Sequence, residues 1–92
     1  MTETLDNLRC RFINNVLLAA SQEAVSHYSD QLLLDLQSYP LPDDGIARFL
    51  SSVLIDLDSF DPISRDARQW NNISAAKIFC RRIHQRYLLS HV

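Results

Sequence analysis

Residues 46–60 read IARFLSSVLIDLDSF. Ile46, Phe49, Leu50, Val53, Leu54, Leu57 and Phe60 recur at i, i+3, i+4, i+7, i+8 and i+11, with a final step of three. A helix turns once every ~3.6 residues, so this spacing gathers the apolar residues on one side. The stretch predicts an amphipathic helix over Asp44–Asp58. A face that wide is stable only when other elements cover it.

The flanking sequence supplies those elements as further helices. Leu5, Leu8, Phe12, Val16 and Ala19 fall at steps of three and four, with Ile13, Leu17 and Ala20 widening the stripe. That predicts a first helix over Glu3–Ala20. Ser21 reads as a break and a cap, because a serine hydroxyl accepts from the first free amides of a helix and Glu23 favours its positive end. A second helix then runs over Gln22–Ser38, with Val25, Tyr28, Leu32, Leu36 and Tyr39 inward. The alternative is one long helix through Ser21. Between it and the central helix lies YPLPDDG (39–45), whose prolines disfavour helix in the residues before them. Asp43 or Asp44 is the expected cap of the central helix.

On the other side, Asp61 before Pro62 fits an N-cap followed by proline at the first helical position. A short helix is expected over Pro62–Trp70, closed by Asn71 and Asn72, with Asn72 capping a last helix over Ile73–Leu89. Ile73, Ala76, Phe79, Cys80, Ile83 and Tyr87 form its inward stripe. The expected fold is all-α: a compact bundle of four to five helices, one domain spanning residues 1–92.

Composition agrees. Hydrophobic residues make up 47% of the 92, and a single glycine is too few for the tight turns of an all-β fold. Cys10 and Cys80 are too few for a disulfide framework and are expected as two buried free thiols. The N-terminus carries acids rather than the basic start of a signal peptide. The longest apolar run, VLLAA (16–20), is far short of the ~20 residues that span a bilayer. These features predict a cytoplasmic protein with no membrane contact.

No pattern for chemistry emerges. Gly45 alone cannot build a phosphate-binding loop. His27, His84 and His91 lack the spacing of a metal site. A calcium loop starting at Asp56 would need glycine and glutamate where Asp61 and Ala67 stand. Asp56 and Asp58 are two apart on one helix, so they point in different directions and cannot face each other across a cleft. As two acids in a last turn they oppose the helix dipole. A basic group from Arg65, Arg68 or the last helix is expected to answer them. With no catalytic constellation, metal or cofactor motif, the chain is expected not to be an enzyme.

Charge is more telling. From Phe12 to Asp66 nine acids stand against Arg48 and Arg65, whereas from Ala67 onward there are five basic residues and no acid. The overall −2 thus hides an acidic middle and a basic end. Within AKIFCRRIHQRYLL (76–89), Lys77, Arg81, His84 and Leu88 line one flank of the helix, and Arg82 and Arg86 the other. Ile78 and Leu89 lie between or beside them. Leu34 and Ile55 likewise point away from the stripes of their helices. Scattered exposed apolar residues are ordinary, but several in a small bundle point to an interface.

The leading expectation is a small protein-binding module: an adaptor, inhibitor or regulatory subunit, contacting a protein partner or a second copy of itself. Small acidic helical proteins of this size include immunity proteins and antitoxins, whose acidic surfaces suit basic nuclease targets; no motif here is specific to them. The expected contact residues are Asp56, Asp58, Lys77, Ile78, Arg81, Arg82, His84, Arg86 and Leu89. The alternative is a nucleic-acid-binding transcriptional regulator. In it, DPISRDARQWNN (61–72) opens a helix–turn–helix and the last helix contacts phosphates.

Overall fold

The computed structural model describes residues 3–89, with the side chains of Asp43, Pro62 and Leu89 outside the description. Within these residues the chain forms four α-helices: α1 (Leu5–Leu18), α2 (Gln22–Gln37), α3 (Asp43–Asp58) and α4 (Ala67–Leu89). A 3-10 turn, Pro62–Ser64, joins α3 to α4. The described residues contain no strand.

Local chemistry sets most of the helix ends. Thr4 caps α1, its hydroxyl accepting from the Asn7 amide at 3.1 Å. The chain leaves the helix at Ala19, whose backbone is extended. Ser21 then caps α2, accepting from the Ala24 amide at 3.2 Å. The break at Ser21 is therefore real, and Ala20 is exposed rather than part of the stripe. Neither Asp43 nor Asp44 caps α3. Pro42 occupies that position with no side-chain bond, and its carbonyl accepts from the amides of Gly45 and Ile46. Asp44 pairs instead with Arg48 one turn on, at 3.2 Å.

The segment 61–89 departs most from expectation. The Asp61 carboxylate accepts from the Ile63 amide at 2.9 Å, as an N-cap before proline should. The helix it opens is only the three-residue 3-10 turn. Asp66 starts the next one, its carboxylate accepting from the Gln69 amide at 2.8 Å. That helix then runs 23 residues without interruption through Asn71 and Asn72. The reason lies in the Asn72 side chain. An asparagine disrupts a helix when its amide competes for nearby backbone groups. Here the amide is buried and points across the bundle, donating to the carbonyls of Val16 at 3.2 Å and Ala19 at 2.9 Å. Residues 62–89 therefore form no helix–turn–helix.

All four helices contribute to one core. Leu8, Phe12 and Val16 meet Val25, Leu32 and Leu36, together with Ile46, Leu50, Val53, Leu57, Ile73, Ala76, Cys80 and Ile83. Helix α4 packs against all three others, most extensively against α3. Asp58 at the end of α3 meets Lys77 early in α4, and Asp44 at its start shares a groove with Leu88 near the end of α4. The two helices thus run antiparallel. Cys80 is buried, and desolvation pushes its thiol up to about 12. Cys10 corrects the expectation of two buried thiols: it lies exposed on α1.

Candidate interaction surface around the last helix

The acids of the α3 end are answered inside the bundle. Asp56 lies 3.2 Å from Nε of Arg9 on α1, a contact of charge rather than an aligned hydrogen bond. Arg9 also donates to the Ser52 hydroxyl at 2.7 Å and approaches Asp6 at 3.4 Å. Asp58 is 2.8 Å from Nζ of Lys77 and 3.9 Å from Arg81. Lys77 is mostly covered and its ammonium also sits 5.5 Å from the Trp70 ring centre. Of the expected sources of positive charge, the last helix serves Asp58; Asp56 is answered instead by Arg9 of α1, which is not among them. Arg65 instead lies over the Phe60 ring at 4.7 Å.

The hydrogen bond from Lys77 holds the Asp58 carboxyl below its ordinary value of 3.8, with the charges of Lys77 and Arg81 adding to the effect. A carboxylate whose pKa is lower folded than unfolded stabilises the fold above the unfolded pKa. That stabilisation fades as pH falls through the folded value. Asp58 is half exposed, so solvent screens the pair and its share is small. Urea unfolding of Asp58→Asn should therefore lose less stability than wild type as pH drops below about 4. Equal acid sensitivity of the two proteins would contradict the pairing.

A second charge cluster ties α1 to α2. Arg11 donates to Glu3 at 2.9 Å and to Asp35 at 3.1 Å, and these bonds, Glu3 first, hold its guanidinium above the ordinary arginine value. The Tyr39 hydroxyl donates to the Glu3 carbonyl.

With those groups committed, the exposed side of α4 divides into two flanks. On the α2 side, Ile78, Phe79 and Arg82 line a groove of about 150 Å³ against Gln22, Ser26 and Ser29. Ser29 is satisfied, donating to the Val25 carbonyl at 2.8 Å. Arg82 and Arg86 are exposed and have no acid within ion-pair reach among the described residues. On the α3 side, His84 and Leu88 line a groove of about 290 Å³ with Ala47, Arg48 and Ser51. Ile55 lies one turn beyond Ser51, and Arg81 one turn before His84. Ile55, Ile78 and Leu88 are 67%, 51% and 49% exposed, so no second packing contact in the bundle covers them.

Of the nine expected contact residues, the structure thus separates three groups. Asp56, Asp58 and Lys77 are occupied by internal pairs. Ile78, Arg82 and Arg86 share the α2 flank. Arg81 and His84 share the α3 flank. The Leu89 side chain lies outside the described residues, as does His91.

Sequence reasoning passed over Leu88 as a site residue, and over Leu18 and Ile63, which are also strongly exposed. Leu18 could have been found on a helical wheel, since it falls well away from the Leu8–Phe12–Val16 line. Ile63 carries no such signal, because it lies in a turn. Among the described residues no three His, Cys, Asp or Glu side chains gather as a metal ion requires. No helix is long and apolar enough to cross a membrane. No family model, curated protein or solved structure matches this chain.

Proposed function

We propose that this chain is a non-enzymatic protein-binding module, an adaptor, inhibitor or regulatory subunit, that works through the exposed side of α4 and its two grooves. One observation carries the reading. Apolar side chains stand exposed on both flanks of a single helix, each sharing a groove with a guanidinium: Ile78 with Arg82, and Leu88 with Arg48. A mixture of apolar anchor and arginine is the composition of protein–protein contact surfaces. Phosphate-tracking surfaces instead present cations in a continuous stripe. Here Asp58 lies against Lys77 and Arg81 and interrupts such a stripe. The module would act in the cytoplasm, where the free thiols of Cys10 and Cys80 persist.

The test is capture from a nuclease-treated extract on immobilised protein. Wild type retains a discrete protein, and the paired change Ile55→Asp with Leu88→Asp loses it, because a buried unpaired carboxylate in an apolar contact is costly. Retention that nuclease abolishes, or that ignores the paired change, would overturn the reading of this flank.

A further inference from the structure

We infer that the α2 flank is the contact for a second copy of this chain, docked two-fold and antiparallel across the groove between α2 and α4. The inference rests on reading α4 as a protein-contact helix and names the occupant of one of its two flanks.

The argument begins with direction. Asn72 ties the start of α4 to the carbonyls of Val16 and Ala19, beside the point where α2 begins at Gln22. Both helices therefore leave one corner of the bundle together, and they line the same groove. Along the exposed side of α2 the acids and the large apolar residue run Glu23, Asp30, Leu34, with His27 between the two acids. Along α4 the order is Ile78, Arg82, Arg86. All of these residues are exposed, and Leu34 is 61% so. None of the four charged groups has an oppositely charged partner among the described residues. One helix reads acid, acid, apolar. The other reads apolar, base, base.

A two-fold axis through the groove reverses one copy against the other, and an isologous contact repeats every pair twice. That reversal sets Leu34 against Ile78 of the second copy, Asp30 against its Arg82, and Glu23 against its Arg86. The four-residue step from Leu34 to Asp30 equals the step from Ile78 to Arg82. The step from Asp30 to Glu23 exceeds that from Arg82 to Arg86 by three residues, about 4.5 Å at the helical rise. An arginine side chain spans that difference. A same-direction docking would instead set acids against Ile78 and arginines against Leu34. Charge complementarity thus selects both the occupant and its orientation.

Sedimentation velocity at low salt over a wide concentration range tests this. Wild type forms a dimer that dissociates as salt rises, because the ion pairs lie at a solvated rim. Arg82→Glu and Asp30→Arg each place like charges together twice and should sediment as monomers. Mixed in equal amounts, the two variants restore every pair as opposite charges and should form a one-to-one dimer. Both substitutions are on exposed helix surfaces, and circular dichroism of each variant checks that it is folded. A monomeric wild type, a dimer that survives in either variant, or a mixture that stays monomeric would each overturn the inference. Such a failure is distinguishable from failure of the proposed function, whose test lies on the opposite flank at Ile55 and Leu88.

Discussion

Replacing Asn72 with leucine should lower the melting temperature by about 10–20 °C, read by circular dichroism. The amide is buried, and its two bonds end at the carbonyls of Val16 and Ala19. These belong to the C-terminal end of α1, where carbonyls run out of helical partners. Leucine keeps the volume and removes the donor. The Val16 carbonyl retains the Ala19 amide at 3.3 Å, but the Ala19 carbonyl is left without its 2.9 Å partner. Gln69 reaches only as far as Leu17, at 3.5 Å. Stranding buried backbone acceptors costs about 1–3 kcal/mol each. In a domain of this size each kcal/mol moves the midpoint by about 4–8 °C. A helix cap at the same position would be worth only about 1 kcal/mol. A shift of a few degrees would therefore return Asn72 to the role of a simple punctuation residue.

Leu57→Ala should cost about 3 kcal/mol in urea unfolding, within the range for a buried leucine truncated to alanine. Leu57 is fully buried in the last turn of α3. Its neighbours in sequence point to opposite sides: Asp56 reaches Arg9 on α1, and Asp58 reaches Lys77 on α4. The leucine thus fills the wedge between three helices that these two ion pairs draw together. The surface pairs alone contribute about 1 kcal/mol or less. The cavity term should consequently dominate, and Leu57→Ala should exceed the loss in Asp58→Asn by a clear margin. A comparable loss in the two variants would mean that this corner is held by charge rather than packing.

The periodic parts of the fold were legible because their physics is local. Residues 46–60 show their apolar face in the spacing alone: Ile46, Phe49, Leu50, Val53 and Leu57 are buried, while Leu54 and Phe60 are partly buried against the core. Ser21 could be read as a break because its hydroxyl caps an amide only three residues away. Asn72 was misread for the converse reason. Its partners lie 53 and 56 residues earlier, and nothing near it in sequence says that an α1 carbonyl awaits an amide. Without that contact, two adjacent asparagines look like a helix end. The aspartates before α3 were misread because the Pro42 carbonyl, not a side chain, opens that helix.

The surface was legible to a similar depth. Charge segregation along the chain and the apolar misfits at Leu34, Ile55, Ile78 and Leu88 could be seen without coordinates. Which charges remain available could not. Arg9 pairs with Asp56 from another helix, and Lys77 is absorbed between Asp58 and Trp70. Only the packing shows that Arg82 and Arg86 are left over on one flank and that His84 and Leu88 share a groove on the other.

The central claim is that the exposed side of α4 touches another protein chain, and site-specific photo-crosslinking in living cells tests it most directly. A photoreactive residue is placed at Ile78, at Leu88, or at exposed Asn14 on α1 as a control. The account predicts discrete, nuclease-resistant protein adducts from positions 78 and 88, with a doubled-mass species from 78, and none from 14. Adducts from position 14 alone, or adducts from 78 and 88 that nuclease removes, would contradict it.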